Sequence, residues 1–480
     1  MPKTRNTLSN FVYRIAETFG IQAIQLVISI VLARLLLPEN YGVVAIASTI
    51  VTILTSVVQS SFNAPLVQKK ELSQIDLSSS FYVMLAIAGT LYLILFAAAP
   101  TIASVYSMPD LVLVIRVLSF ILVLGSWNSI QMALIYRNLR FRASMIINMV
   151  GIAVQGTVGI GLAYMGFGVW SLVSSQITYQ IVIGIIYGIY NHWVPGFCFS
   201  IRSIKEIWKI GIPLLGAELL TILSSNIYPM IIGLRYTKAE LGLYQKGNST
   251  PTTIVNGVVT ACSTVFFSTM SRVQDDYNKL RQFLGNGISL AAYLIVPIAL
   301  GLFAISQDFV TIILGENWLQ AIPLMQIACL TLSLYPLRLK TQAINAIGKA
   351  NQAFLINATY AITSNALLLV FVTISLKAAI FSMFLAEVVF ALITSYYIKK
   401  DFSYSIKNQI SDIIPAYSLG IMMALVVTKV GSLFASITIV SFFVKVALGA
   451  SFYIVASVLL KPRPVKFALS YLKNNKNKGN

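Results

Sequence analysis

The sequence predicts an all-α polytopic membrane protein of about fourteen transmembrane helices, built as two six-helix lobes in parallel repeat plus two appended helices. Three observations carry this. Of the 480 residues, 57% are hydrophobic and only 10% are charged, against about 25% charged in soluble proteins. Unbroken apolar runs of about 20 residues, enough to cross about 30 Å of hydrocarbon, recur along the whole length. Finally, a hinge at residues 33–47, ARLLLPENYGVVAIA, is respelled at 233–247 as GLRYTKAELGLYQKG.

Without water in the hydrocarbon layer, each segment must satisfy its own backbone hydrogen bonds, so unbroken runs mean helices. Strands of a membrane barrel would alternate apolar and polar instead. The first run, residues 10–36, continues past Arg34 and far exceeds a signal peptide's apolar core, and no small-residue cleavage site ends it. It reads as a span. Further spans follow at 41–67, 79–104, 112–136, 142–165 and 168–191. After a longer polar link come 207–235, 241–271, 283–307, 319–347, 351–375 and 377–398, and then 409–430 and 433–460. Residues 1–200 form the first lobe, 201–402 the second, and 403–480 the appended pair with a basic tail.

Charge orients these spans. One set of connections holds Lys3, Arg5, Lys69, Lys70, Arg137, Arg140, Arg142, Arg202, Lys205 and Lys209. The same set continues with Arg272, Lys279, Arg281, Lys349, Lys399, Lys400, Lys407 and the tail from Lys461 to Lys478, 23 basic residues together. The alternate connections hold six: Arg34, Arg116, Arg235, Lys238, Lys377 and Lys429. Positive-inside bias therefore puts the first set and both termini in the cytoplasm. The formal net charge of +19 follows membrane topology. It does not mark a nucleic-acid partner, and the tail KNNKNKGN suits contact with anionic lipid heads.

The respelled hinge belongs to a longer repeat. At an offset of 201, Arg34 meets Arg235 and Glu17 meets Glu218, each acid following an alanine inside an apolar run. At an offset of 209, Arg140 meets Lys349, Asn148 meets Asn357 and Tyr187 meets Tyr396. Six helices per half set both halves the same way up, and such parallel repeats place a transport path between them. Pro and Gly stop and restart helices at the hinge, and the arginines anchor their helix ends at the interface.

Eight ionisable residues stay inside spans: Arg14, Glu17, Glu218, Lys246, Arg338, Lys340, Glu387 and Lys445. An ionised group at mid-membrane costs several kcal/mol unless it meets a partner or a cavity. Arg14 and Glu17, at i and i+3, have the spacing of an ion pair on one helix face. Glu218 has no basic neighbour within a turn and must face another helix or water. Arg338 lies ten residues before the break at Gly348, about 15 Å deep, and Glu387 lies about 18 Å deep. Two readings stay open for Arg338 and Lys340: a buried bridge to Glu387, or a cation-lined cavity. At offset 209 the first repeat carries the neutral Ser129 and Gln131, so the second repeat holds the anion-attracting side.

Enzyme signals are absent. Three scattered cysteines and one histidine offer no metal site. No phosphate-binding loop is present, and GIGLAYMGFG ends an apolar span, where small residues serve helix packing.

The stretches ARLLLPENYGVVAIA, VQKKEL, YRNLRFR, GFGVWSLV and LGLYQKG resemble those of the polysaccharide and O-antigen flippases (Wzx type, colanic-acid-exporter-like). These are members of the multidrug/oligosaccharidyl-lipid/polysaccharide exporter superfamily. The resemblance, which covers the whole chain, implies two lobes around a V-shaped central cavity. It implies movement of undecaprenyl-pyrophosphate-linked oligosaccharide from the inner to the outer leaflet of the bacterial cytoplasmic membrane. O-antigen, exopolysaccharide or capsule synthesis would use this step. Alternating access driven by H+ or Na+, no cofactor, membrane lipids and a polysaccharide polymerase complex as partners complete the expectation. The family lends no residue roles beyond a cationic lumen, and here Arg338 stands with lysines where many arginines would be expected. The candidate cavity residues are Arg338, Lys340, Lys246, Lys445 and Glu387, and Glu17, Glu218 and Arg14 are candidates for ion coupling or structure. The alternative is a multidrug or other lipid exporter of the same superfamily; a multidrug exporter calls for an acidic lumen and twelve helices.

Overall fold

Apolar runs become helices and polar breaks become corners in the computed structural model, which describes residues 4–272, 277–431 and 438–460. Side chains are described for these residues apart from 4–19, 217, 220, 268, 269, 271, 272, 277 and 278. Among the described residues there is no strand. The chain forms two compact units, Met1–Gln245 and Lys246–Asn480.

The first unit contains α1 (Thr4–Leu35), α2 (Pro38–Gln68), α3 (Gln74–Val105), α4 (Leu111–Leu118), α5 (Phe120–Arg137), α6 (Phe141–Tyr164), α7 (Val169–Asn191) and α8 (Ile201–Arg235). The fourth expected span is the pair α4 and α5, which meet at Ser119. Helix α9 (Lys238–Arg272) starts in this unit and continues in the second. The second unit then holds α10 (Tyr277–Ala304), α11 (Ser306–Asp308), a π-helical turn at Phe309–Leu314 and a 3-10 turn at Glu316–Ala321. It goes on through α12 (Ile322–Ser333), a 3-10 turn at Tyr335–Arg338, α13 (Leu339–Ala346), α14 (Ala350–Phe371), α15 (Leu376–Phe402), α16 (Ile406–Gly431) and α17 (Ile439–Leu460).

Among the described residues eleven spans are long and apolar enough to cross a membrane, or twelve if the bent pair Ile201–Gly216 and Thr221–Arg235 is one span. The expected fourteen is not reached on this measure. From Gly20 on, α1 offers a shorter apolar helix. Helix α9 carries Asn248, Ser249, Thr250, Thr252, Thr253 and Asn256, which dilute its hydropathy. A helix this polar needs protein or a wet cavity around it rather than lipid.

The two respelled hinges touch. Pro38 opens α2 at a position where its missing N–H costs nothing. A Cβ on Gly42 would lie 1.8 Å from the Lys238 carbonyl oxygen, and a Cβ on Gly242 would lie 1.8 Å from that of Pro38. Each hinge glycine therefore sits against the backbone of the other hinge, an approach open only to a residue without a side chain. Lys238 Nζ lies 3.2 Å from Glu39 Oε2 and 3.4 Å from Asp110 Oδ2 beside them. Arg34 and Arg235 end their helices exposed, as anchors should.

The motifs VQKKEL and YRNLRFR also meet. Arg137 donates to the carbonyl of Lys69, and its Nη2 donates to that of Lys70 at 2.7 Å. Lys69 Nζ donates to Asp76 Oδ1 at 2.7 Å and to Glu206 Oε2 at 3.3 Å. Burial pulls the Lys69 pKa down, but the two carboxylates outweigh it and leave the group raised. Asp76 also closes a capping box with Ser73 at the start of α3.

Between α5, α6 and α7 the core is Ile135, Ile147, Ile183 and Tyr187, and Asn148 Nδ2 donates to Tyr187 Oη at 3.2 Å. The repeat counterparts Asn357 and Tyr396 are both exposed. In the second unit Ala292, Val296, Leu300 and Ala416 join α10 to α16.

Candidate functional site

Pro336 supplies no N–H, so the helix ladder breaks between α12 and α13 and a 3-10 turn, Tyr335–Arg338, takes over. Tyr417 Oη donates to the Ser333 carbonyl at 2.6 Å beside this break. The break points Arg338 at Glu387 of α15. Arg338 Nε donates to Glu387 Oε1 at 2.9 Å and Nη2 to Oε2 at 2.7 Å, a two-pronged ion pair. Nη2 also lies 3.3 Å from Tyr360 Oη. The guanidinium carbon stands 4.1 Å over the Tyr335 ring and 5.4 Å from that of Tyr360. Burial of the partners is unequal: the Glu387 side chain is 1% exposed and that of Arg338 is 38% exposed. Of the two open readings, the bridge to Glu387 is present, and the Arg338 side chain keeps part of its surface exposed beside it. Its Nη1 donates to nothing among the described residues.

The other candidate cations are buried. Lys340 is 3% exposed and donates to Ser395 Oγ at 2.6 Å. Lys246 is 2% exposed within α9. Lys445 of α17 donates to Asp308 Oδ1 at 2.6 Å, and both residues are buried. Asp308 leads directly into the π-helical turn. Sequence reading passed over Asp308 because it ends an apolar run, where an acid looks like part of a loop.

In the first unit, Glu218 lines a cavity of about 740 Å³. The remaining lining, among the described residues, is uncharged: Gln25, Gln59, Gln155, Gln176 and Gln180 with Asn63, several serines and threonines from α2 and Thr221 from α8. Sequence reading looked for charges and missed this set. The signal was present as five glutamines inside apolar spans. Arg14 and the Glu17 side chain paired with it in sequence lie outside the described residues. Among the described residues no group of three or more His, Cys, Asp or Glu side chains is placed to hold a metal.

Comparison with known proteins gives a consistent set. The succinoglycan biosynthesis transport protein ExoT of Rhizobium meliloti (strain 1021) is 25% identical over 316 residues, 65% of this chain and 63% of that protein. The lipopolysaccharide biosynthesis protein WzxC of Escherichia coli (strain K12) is 22% identical over 334 residues, 68% of this chain and 67% of that protein. Among solved structures, the lipid II flippase MurJ in an inward closed conformation matches with a TM-score of 0.78 at 14% identity, covering 94% of this chain and 99% of that one. At that identity the likeness is one of fold. The family model described as "Polysaccharide biosynthesis protein" matches residues 31–323, well over half of the sequence, and the chain belongs to that family.

Proposed function

We propose that this protein moves an undecaprenyl-pyrophosphate-linked oligosaccharide from the inner to the outer leaflet of a bacterial cytoplasmic membrane, for O-antigen, exopolysaccharide or capsule synthesis. In this reading it is a transporter and no enzyme. Repeats 1–200 and 201–402 alternate access, and Glu218 is the acid offered to a coupling H+ or Na+. Family membership, the transport role in the printed name of ExoT and the fold likeness to a lipid II flippase support export of a lipid-linked saccharide. The observation that carries the cargo's chemistry is Arg338, fixed by a buried carboxylate with one edge left open.

That arrangement suits a pyrophosphate. Glu387 and the Tyr335 face hold the guanidinium plane, so little rotational freedom remains to be lost on binding. The pair is neutral as a whole, so the grip on a phosphate oxygen comes from directed Nη1 hydrogen bonds more than from net charge. Lys340, two residues on, leaves surplus positive charge along this stretch.

The test is reconstitution. Vesicles containing the protein should bring a labelled undecaprenyl-pyrophosphate oligosaccharide within reach of an external glycosidase, and protein-free vesicles should not. Purified protein should bind undecaprenyl pyrophosphate at least 10-fold more tightly than the neutral alcohol undecaprenol, and Arg338→Ala should erase that preference. An equal affinity for both lipids in the unaltered protein would overturn the reading.

A further inference from the structure

We infer that the cavity of the first unit is the saccharide site and that it selects uncharged sugars. The inference rests on the lipid-linked oligosaccharide reading and adds where, and by what chemistry, the sugar is recognised.

At about 740 Å³ the cavity lies within the 300–1,000 Å³ range of sites that enclose a small organic ligand. An apolar guest would leave its many amides and hydroxyls without partners, and each unpaired buried polar group costs about 1–3 kcal/mol. The amides are also held in place. Gln176 Oε1 accepts from Ser48 Oγ at 3.3 Å, and Gln180 Oε1 accepts from Asn128 Nδ2 at 2.8 Å. Asn63 Oδ1 accepts from Ser129 Oγ. Gln59 runs the other way, with its Nε2 donating to the Gly125 carbonyl at 3.2 Å.

Each of these four amides is therefore tethered at one end and offers the other. The NH₂ groups of Gln176, Gln180 and Asn63 remain as donors, and the Gln59 carbonyl remains as an acceptor, none with a partner among the described residues. A sugar hydroxyl is both donor and acceptor, so it answers mixed donors and acceptors better than a pure anion or cation does. Tethering lowers the ordering cost of binding.

Charge supplies the selectivity. Among the described residues the Glu218 carboxylate is the single charged side chain on the lining. A uronate or another acidic substituent would meet it as a like charge, with no cation among the described residues of the wall to offset it. Ser129, which stands opposite Arg338 in the repeat, here steadies Asn63. The same repeat position thus serves an ion pair in the second unit and an amide in the first.

The experiment compares two probes on the purified full chain: bare undecaprenyl pyrophosphate, and the same lipid carrying the oligosaccharide, extracted from membranes of the source organism. The unaltered protein should bind the glycosylated lipid at least 10-fold more tightly than the bare one. The triple change Gln59→Leu, Gln176→Leu and Gln180→Leu should bring that ratio within about 2-fold while leaving bare-lipid affinity unchanged, which also reports folding. Should the triple variant lose bare-lipid binding, single Gln176→Ala and Gln59→Ala changes decide, each expected to lower the ratio at least 3-fold. A ratio unchanged in the variants, or no preference in the unaltered protein, overturns the saccharide site. Sugar analysis of the bound lipid should find no acidic residue, and a uronate there overturns the charge selection. Binding of neither probe would sink the flippase reading itself, an outcome separate from the others.

Discussion

Removing Arg338 should damage the protein more than removing its partner, and removing both should damage it less than removing Arg338 alone. The asymmetry follows from burial. The Glu387 side chain is 1% exposed and accepts two charged hydrogen bonds, so Arg338→Ala strands a carboxylate with no counter-charge. Breaking a buried pair in this way costs about 3–5 kcal/mol. Glu387→Ala leaves a guanidinium that is 38% exposed, with Tyr360 Oη at 3.3 Å and the Tyr335 ring at 4.1 Å. Those contacts, and the exposed edge, hold its cost nearer the 1.5–3 kcal/mol of a lost charged hydrogen bond. The double alanine variant strands no charge, so its cost falls towards that of the space left behind. Thermal unfolding in detergent, followed by intrinsic fluorescence for the four proteins of the cycle, measures the coupling. Additive losses, with the double variant least stable of all, would refute the reasoning. Export divides structure from function in the same set. If Arg338 grips the cargo, the double variant regains stability but not surface polysaccharide, and recovery of both would leave Arg338 only a bridge to Glu387.

Gly42→Ala and Gly242→Ala each place a methyl 1.8 Å from a carbonyl oxygen; overpacking of this kind costs about 1–3 kcal/mol or more. Gly89→Ala in α3, where a Cβ meets nothing within 4 Å, should instead gain about 0.5–1 kcal/mol of helix stability, and equal unfolding temperatures for all three variants would dismiss the steric account. Lys445→Ala and Asp308→Ala should each lower stability by stranding the other's charge, whereas Lys445→Met with Asp308→Leu should restore most of it; failure of the apolar pair to recover would point to a task for the charges. Single cysteines at the exposed positions Ser107 and Glu316 should react with an impermeant thiol reagent from outside, and those at Asn138 and Lys400 should not. The reverse pattern would invert the topology.

Much of the fold was legible because a membrane allows few alternatives: apolar length names the helices, and hinge residues mark their ends. Arg338 and Glu387 were legible for the same reason, since a charge in a span has to be answered, and each answered the other. Lys445 was visible and Asp308 was not, because a single acid at the end of an apolar run has the same letters whether it turns inward or outward. The glutamine-lined cavity escaped notice for a related reason. An amide in a span costs far less than a charge, so nothing in the sequence forces it to declare a partner. Helix α9 was expected as a span at 241–271, yet its serines, threonines and asparagines leave it outside the spans apolar enough to cross a membrane.

The contact between the two hinges is reciprocal. Gly42 meets the backbone at Lys238 and Gly242 meets the backbone at Pro38, each at the same 1.8 Å. When residue i touches j and j touches i, the surface is isologous, the kind that a two-fold axis generates between identical subunits. Such a surface has no use for a second sequence; one polypeptide of half the length could make it with its own copy. The clasp is therefore symmetric in kind, although the two hinges that make it are spelled differently. The symmetry does not extend to every matched position: Asn148 bonds Tyr187, whereas the matching Asn357 and Tyr396 are exposed.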